Sequence, residues 1–153
     1  MATLLWALHS DYPMPDYDRP AFTTEIMAFA PTPQDAASLL RNSRLRPAKE
    51  ISKVRDIAEL WLWRARTTQL EKEKGASIKG YRLDEIVAMT AQKAGEDGLF
   101  VPIDKDFPAL GKAYSHLSDN EWQTLRSIAT ERLYGLNWLC GYAEDWDSVP
   151  TGT

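Results

Sequence analysis

The sequence has a single cysteine, Cys140, and two histidines, His9 and His116, which lie far apart along its 153 residues. One cysteine forms no disulfide within the chain, and this usage is typical of proteins from a reducing compartment. Zinc sites need several cysteine or histidine ligands at short spacing, and the sequence offers no such set. We therefore expect a cytoplasmic protein without a metal site.

The sequence also lacks long apolar runs and any excess of positive charge. No run approaches the ~20 apolar residues that a helix needs to span a bilayer. The apolar residues 4–8 are too few for the core of a signal peptide, and no convincing cleavage region follows them. The formal net charge is −4, so no basic stripe is available to a polyanion. We expect a protein that binds neither membranes nor nucleic acids.

Short catalytic and cofactor motifs are missing as well. The loop GASIKG does not end in a lysine followed by a hydroxyl residue, so Lys79 is not the lysine of a phosphate-binding loop. The acid-rich stretches DYPMPDYD and EDWD lack the glycine and the distal glutamate of a calcium-binding loop. The sequence predicts no cofactor and favours a non-enzymatic function, but it leaves open a catalytic site built from distant positions.

What the sequence does contain is helical periodicity interrupted by prolines. Hydrophobic residues make up 44% of the chain and charged residues 26%, which is typical of a folded globular domain. Pro13, Pro15 and Pro20 exclude a regular helix after the apolar residues 3–9. Residues 22–30 then predict one short helix.

Two further helices have recognisable start signals. Thr32 is a predicted N-cap, because Pro33 follows it at the first helical position, where proline is favoured. Ser118 is followed three residues later by Glu121, which is the pattern of a capping box. The second signal is the clearest helix start in the sequence.

The longest predicted helix begins at Pro47 and ends at Gly75. Residues 57–63, IAELWLW, are apolar almost all round. Such a helix is buried on more than one side, so we expect it at the centre of the core. Its apolar stripe comprises Ile51, Val54, Ile57, Ala58, Trp61, Ala65 and Thr68, which recur at three- and four-residue steps.

Residues 83–94 predict another helix, and the prolines of residues 99–117 predict an extended connection that could include two short strands near residues 100–103. The predicted fold is therefore mainly α. It is a single domain spanning residues 1–153, a bundle of about five to six helices with proline-rich connecting loops and an extended C-terminal tail.

The last helix has one broad apolar face that includes a single charge. The face comprises Trp122, Leu125, Ala129, Leu133, Leu136, Leu139, Cys140 and Ala143. Cys140 is therefore interpreted as a small buried residue rather than as a nucleophile. Arg132 falls in the middle of the face, so it needs a carboxylate or carbonyl partner, or it must extend outward to solvent. The candidate carboxylates are Asp145, Asp147 and Glu59, and a structural ion pair is favoured over a ligand-binding arginine.

The other side of this helix carries Glu131, Tyr134, Trp138 and Tyr142. One acid among three aromatic residues is typical either of a second packing face or of a binding surface. Trp146, which stands among acids in the tail, is predicted to fold back as an anchor.

Residues 127–153, SIATERLYGLNWLCGYAEDWDSVPTGT, resemble the C-terminal signature of the bacterial family catalogued as domain of unknown function 4272. The stretch ELWLWRAR is similar to the family's helix in which a tryptophan, here Trp61, precedes an arginine, here Arg64. The matching residues of the signature are Glu131, Arg132, Leu136, Asn137, Trp138, Leu139, Gly141, Tyr142, Trp146, Asp147, Val149 and Thr151. The resemblance implies a mainly helical single domain with a recurring set of arginine, asparagine, tryptophan and aspartate, and it implies no particular activity.

Two positions depart from the family pattern: Leu133 stands where histidine is frequent, and Gly152 where aspartate is frequent. An activity that needed either residue would be absent from this chain. The stretch LLWALHSDYPMPD resembles the family's early W-A-L stretch and proline loop, and the chain starts close to it, so we expect an N-terminal helix of longer relatives to be missing here. Asn137 is the signature residue that packing explains least, because an amide beside a core face makes specific hydrogen bonds.

Three functions are compatible with these features. The first is a non-catalytic helical protein-interaction domain that uses its aromatic faces to bind another protein or its own copy. A more specific form is an immunity or antitoxin protein that binds a toxin. The third is a small-ligand binder or enzyme in which Arg132, Asn137, Asp145 and Asp147 converge on a pocket. The candidate functional or structural residues are Trp61, Arg64, Glu131, Arg132, Asn137, Trp138, Tyr142, Trp146 and Asp147.

Overall fold

A computed structural model describes residues 1–8, 11–30, 41 and 43–152. Within these ranges the structure has five α-helices, which are α1 (Ala2–Leu8), α2 (Thr23–Phe29), α3 (Ala48–Lys74), α4 (Leu83–Glu96) and α5 (Asp119–Leu139). The prediction of a mainly helical fold is confirmed. None of the helices in the described ranges is long and apolar enough to cross a membrane. The predicted N-cap at Thr32 and the histidine at position 9 lie outside the described residues.

The helix α3 occupies the centre of the core, as its all-round apolar sequence predicts. Ala58, Leu62 and Ala65 are fully buried, so neighbouring elements cover more than one side of the helix. The helix ends at the predicted position because Gly75 adopts a φ of 85°, a left-handed conformation that glycine tolerates best.

The principal packing partner of α3 is α5, and the two helices run antiparallel. Near the start of α5, the indole of Trp122 donates to the carbonyl of Ala65 at 3.0 Å. Near the end of α5, Asn137 accepts a hydrogen bond at 2.9 Å from Arg55 in the first half of α3. Leu133 and Leu136 of α5 are fully buried, and the small side chains of α3 leave room for leucines on the facing helix.

Trp61 of α3 organises the aromatic part of the core. Its ring stacks on Tyr17 at a centroid distance of 5.6 Å and meets Phe107 edge-on at 5.4 Å. Phe100 and Tyr114 also contact it, at 5.7 and 6.3 Å. Aromatic pairs of this kind each contribute about 0.5–1.5 kcal/mol beyond the burial of their surface. These contacts fix both the proline-rich N-terminal loop and the connection between α4 and α5 against α3.

The start of α5 agrees with the sequence, whereas its end differs. The Glu121 N–H donates to Oγ of Ser118, and the Ser118 N–H donates to the Glu121 carboxylate at 2.7 Å, so the predicted capping box is confirmed. The helix ends at Leu139, because Gly141 has a φ of 76° and the N–H of Tyr142 turns back to the carbonyl of Asn137 at 3.0 Å. Tyr142 therefore follows the helix and does not share a helical face with Glu131 and Trp138.

At the predicted pair of strands near residues 100–103 the structure has only an isolated antiparallel bridge, between Ile103 and Asp106, and the short strands lie elsewhere. One antiparallel hairpin pairs Ser77–Ile78 (β1) with Tyr81–Arg82 (β2), and the other pairs Pro108–Ala109 (β3) with Lys112–Ala113 (β4). Each connection is a two-residue turn in which both residues, the second of them a glycine, have positive φ. This is the geometry of a type I′ turn, which matches the twist of the strands that it joins.

Candidate functional site

Arg132 is buried and binds backbone carbonyls. Only 6% of its surface is exposed, and its guanidinium donates to the carbonyls of Pro15 and Asp16, both at 2.9 Å. Its Cζ also lies 4.5 Å from the ring centroid of Tyr17. Burial lowers the pKa of Arg132 below the ordinary value of a guanidinium. Arg132 thus fastens the proline-rich loop to α5.

The carboxylates proposed as partners of Arg132 are used elsewhere. Glu59 accepts two hydrogen bonds from Arg55, at 2.5 and 3.0 Å. Asp145 accepts from the N–H of Asp147 at the start of a short 3-10 helix, and both of these acids are exposed. Of the alternatives that the sequence left open for Arg132, carbonyl oxygens are the partners that the structure provides.

Asn137 joins α3, α5 and the C-terminal tail. Its amide nitrogen donates to the carbonyl of Pro150 at 2.7 Å, and its amide oxygen accepts from Arg55 at 2.9 Å. The residue is 3% exposed, so both ends of the amide are satisfied inside the protein. Arg66 of α3 donates to the carbonyl of Thr151 at 2.6 Å and holds the tail one residue further on.

Trp146 folds back onto α5, as the sequence predicts. Its ring meets Tyr134 edge-on at 4.8 Å and Trp138 at 5.6 Å. The hydroxyl of Tyr134 donates to the Trp146 carbonyl. Tyr142 lies on a different side of the tail, where its ring packs under the guanidinium of Arg55 at 4.7 Å. The aromatic residues of the signature therefore contact each other or α3, and Glu131 beside them is exposed.

Arg64 forms a buried ion pair that the sequence did not reveal. Its Nε and Nη2 donate to the two carboxylate oxygens of Asp106 at 2.7 and 2.8 Å, and Nη1 donates to Thr68 at 2.6 Å. Burial opposes ionisation of Asp106, but the hydrogen bonds and charge of Arg64 outweigh it and hold the pKa of the carboxyl below its ordinary value. The sequence does not single out Asp106, which is one of two acids in the stretch IDKDFP before α5.

The predicted site residues therefore contact separate parts of the chain. Arg132 binds the N-terminal loop, and Asn137 binds Arg55 and the tail. Arg64 binds Asp106, and Trp61 is a core residue beside it. Asp147 is exposed, so it does not join Arg132 and Asn137 in one buried constellation.

Cys140 lines an open cavity of about 540 Å³ between the start of α3 and the end of α5. Burial raises the pKa of its thiol above the ordinary value, and the nearby charge of Arg55 offsets this only in part. A thiol with a raised pKa carries little thiolate at neutral pH and is a poor nucleophile. This environment agrees with the interpretation of Cys140 as a packing residue.

An exposed apolar surface lies on α4 and the segment that follows it, outside the signature residues 127–153. Met89 exposes 72% of its surface and Val101 exposes 82%. They border an open groove of about 610 Å³, which we call the Met89 groove. The groove is lined by Ala88, Met89, Gln92, Gly95, Phe100, Val101, Pro102 and Lys105. The sequence does contain a signal for this surface, because the apolar residues of LFVP follow directly after a loop. A search for helical periodicity does not detect this stretch, since it lies outside a helix.

Gly95 allows the two walls of the Met89 groove to approach each other. A Cβ at this position would lie 2.9 Å from Cδ of Pro102, which is closer than carbon atoms tolerate. The N–H of Leu99 donates to the carbonyl of Ala94 at 2.9 Å and fixes the turn that leads to the second wall. The groove is therefore shaped by backbone contacts that exist before any partner arrives.

A smaller acidic cavity adjoins the Met89 groove. It has a volume of about 350 Å³ and is lined by Arg64, Glu71, Asp84, Glu85, Val87, Ala88, Asp104, Lys105, Asp106 and Ser115. Burial raises the pKa of the Glu71 carboxyl, and Arg64, 3.7 Å away, offsets this only in part. Among the described residues, no group of three or more histidine, cysteine or acidic side chains is arranged to hold a metal ion.

Comparison with known proteins identifies no relative of this chain. No family model, curated protein or solved structure matches it. The resemblance of residues 127–153 to family 4272 therefore stays a prediction.

Proposed function

We propose that the protein is a non-catalytic helical domain that binds a protein partner through the Met89 groove. The observation that carries this proposal is the exposure of Met89 and Val101, at 72% and 82%, where both residues line an open groove. Burying a side chain of this size contributes about 1.5–3 kcal/mol. Contiguous exposed apolar surface is typical of sites that receive the side chains of another protein.

The internal contacts of the polar candidates support a non-catalytic function. Arg64, Arg132 and Asn137 are all nine-tenths or more buried, and their polar atoms bind groups of the same chain. Such residues stabilise the fold and have little capacity left to bind a substrate. Met89 and Val101 are different, because most of their apolar surface is left exposed by the fold.

A photo-crosslinking experiment tests the proposal. A benzophenone amino acid is placed at position 101 and, in a separate chain, at position 81, where Tyr81 is 70% exposed and lies outside the groove. We expect position 101 to crosslink one defined protein in the cells that produce the chain, and position 81 to crosslink it far less. The captured protein is then purified and its affinity for the chain is measured.

Matched methionine variants complete this test. Met89→Glu places a charge in the groove, whereas Met27→Glu makes the same change on α2, where Met27 is 65% exposed. We expect Met89→Glu to weaken binding of the purified partner at least about tenfold, which corresponds to about 1.4 kcal/mol. Equal binding by both variants would show that the groove is not the site.

An immunity or antitoxin function is the more specific form of this proposal. The net charge of −4 and the acidic cavity beside the groove favour a basic partner. Co-expression with a candidate toxin checks it: the chain rescues growth, and Met89→Glu abolishes the rescue.

We further propose that the chain belongs to family 4272. Its support is that the signature residues Arg132, Asn137 and Trp146 all make contacts within the chain that hold the fold together. A family that shares a fold without a shared activity would keep residues of this kind. A structure of another member with the same three contacts would test the assignment.

A further inference from the structure

We propose that the Met89 groove and the adjoining acidic cavity form one docking site for a partner segment in which apolar side chains are followed by an arginine or lysine. This inference rests on the proposed function, because it specifies the chemistry of the partner that the groove binds. The occupant is a segment of another protein, and its cationic side chain enters the acidic cavity while its apolar side chains cover Met89 and Val101.

The groove and the cavity adjoin each other along α4. Both are lined by Ala88 and Lys105, so the two meet at these residues. Asp84 and Glu85, in the first turn of the helix, belong to the cavity, and Gly95, near the end of the helix, belongs to the groove. At the rise of an α-helix this length is about 16 Å. It accommodates about five residues of an extended peptide or about three turns of a helix.

The charge of the cavity selects a cation. Five carboxylates and two cations line it, which gives a formal net charge of −3. Arg64 and Asp106 bind each other, and Arg82, outside the cavity, pairs with Asp84 and Glu85, so Glu71 and Asp104 remain beside the single amine of Lys105. A guanidinium or ammonium group from a partner would reduce this excess, and an acidic segment would be repelled by it.

The partial burial of Glu71 also favours a cationic group from the partner. Its side chain is 27% exposed and lies 3.7 Å from the nearest Arg64 nitrogen, which is already hydrogen-bonded to Thr68. Burial raises the pKa of this carboxyl, so its charged form lacks full compensation inside the free protein. A partner cation beside Glu71 would supply that compensation.

A library of random-sequence peptides displayed on phage tests this inference without knowledge of the natural partner. Peptides are selected on the immobilised full chain, on Glu71→Gln/Asp104→Asn, and on the control Glu73→Gln/Asp147→Asn, which removes the same two charges from exposed positions outside the cavity. We expect the wild type and the control to enrich peptides with arginine or lysine next to apolar residues. We expect the cavity variant to enrich apolar residues without the cation.

A selected peptide is then synthesised and its affinity measured. We expect Glu71→Gln/Asp104→Asn to weaken it at least about tenfold and Met89→Glu to weaken it further, with the control variant within about twofold of wild type. Exchange of the peptide's arginine for glutamate should abolish binding.

Three results would overturn the inference. Selected peptides that are apolar but carry no cation would overturn it while leaving the proposed function intact, provided that Met89→Glu still abolishes their binding. Peptides whose binding ignores Met89→Glu would contradict both. Sedimentation that shows a stable dimer, dispersed by Met89→Glu, would identify a second copy of the chain as the occupant and overturn the assignment to another protein.

Discussion

Two regions of this protein differ in whether their side chains bind other parts of the chain or stay exposed. Residues 127–152 contain the dense aromatic and polar signature, yet Arg132, Asn137 and Trp146 bind other parts of the same chain. The helix α4 and the segment that follows it look ordinary in sequence, yet they leave Met89 and Val101 exposed beside a groove. The first region maintains the fold, and the second has apolar surface available to a partner.

This difference shows that an unusual residue in a small protein is better judged by its contacts than by its rarity. A buried arginine or asparagine needs partners, and a chain of 153 residues supplies them from its own loops and tail. An exposed methionine has no such requirement within the fold. Substitutions should therefore affect unfolding in the signature and at Arg64, and should affect binding in the Met89 groove.

The largest expected effect is on stability, at the buried pair of Arg64 and Asp106. Arg64→Ala leaves Asp106 buried without its cation, and we expect a loss of about 3–5 kcal/mol in the free energy of unfolding. Urea denaturation measures it. The control Arg82→Ala breaks an exposed ion pair with Asp84, and we expect its urea denaturation midpoint to stay close to that of wild type, because solvent screens such a pair. Equal effects of the two changes would show that burial does not set the strength of these pairs.

Arg132→Ala should have the next largest effect. It removes two charge-assisted hydrogen bonds to carbonyls and the contact with Tyr17, which predicts a loss of about 2–3 kcal/mol. Thermal unfolding measures it, with Glu131→Ala as the control because the neighbouring Glu131 is exposed and should change stability by less than about 0.5 kcal/mol. A larger effect at Glu131 would contradict the assignment of Arg132 as the anchor of the N-terminal loop.

Asn137→Ala should release the tail at a smaller cost. The substitution removes the bonds to Pro150 and Arg55, and we expect a loss of about 1–2 kcal/mol, since Arg55 keeps its bonds to Glu59. Limited proteolysis should cleave the tail faster in this variant. Asp147→Ala, an exposed change in the same tail, should leave the cleavage rate near that of wild type. Unchanged proteolysis of Asn137→Ala would mean that other contacts hold the tail.

The smallest effect on stability is expected in the Met89 groove. Val101→Ser removes exposed apolar surface, so the free energy of unfolding should change by less than about 0.5 kcal/mol. Urea denaturation measures it, and Val149→Ser, in the buried part of the tail, is the matched substitution that should destabilise the fold by more than about 1 kcal/mol. Strong destabilisation by Val101→Ser would show that the groove residues are part of the core.

The sequence predicted those parts of the fold that depend on local patterns. The capping box at Ser118 and the end of α3 at Gly75 follow from the preferences of neighbouring residues, and the structure has both. The end of α5 was placed too far along the chain, because an apolar pattern continues through Ala143 while Gly141 ends the helix. Periodicity alone does not show which glycine adopts a positive φ.

The candidate site was less predictable, because its contacts join residues that are distant in sequence. Arg132 was recognised as needing a partner, but the carbonyls of Pro15 and Asp16 lie 116–117 positions away. Asp106 lies 42 positions from Arg64, and no pattern links the two. The Met89 groove depends on the close approach of Gly95 to Pro102, which only the folded chain reveals. Sequence patterns thus identified residues that need contacts, and the tertiary structure determined which contacts they make.

The central claim is most directly tested by measuring stability and partner binding together on Asn137→Ala and Met89→Glu. Stability is the free energy of unfolding in urea, and binding is the crosslinking yield from position 101, corrected for the folded fraction. We predict that Asn137→Ala loses about 1–2 kcal/mol of stability and keeps its crosslinking yield. Met89→Glu should keep its stability and lose the crosslink. The opposite outcome, with binding lost only in Asn137→Ala, would contradict the account and place the binding site in the C-terminal signature.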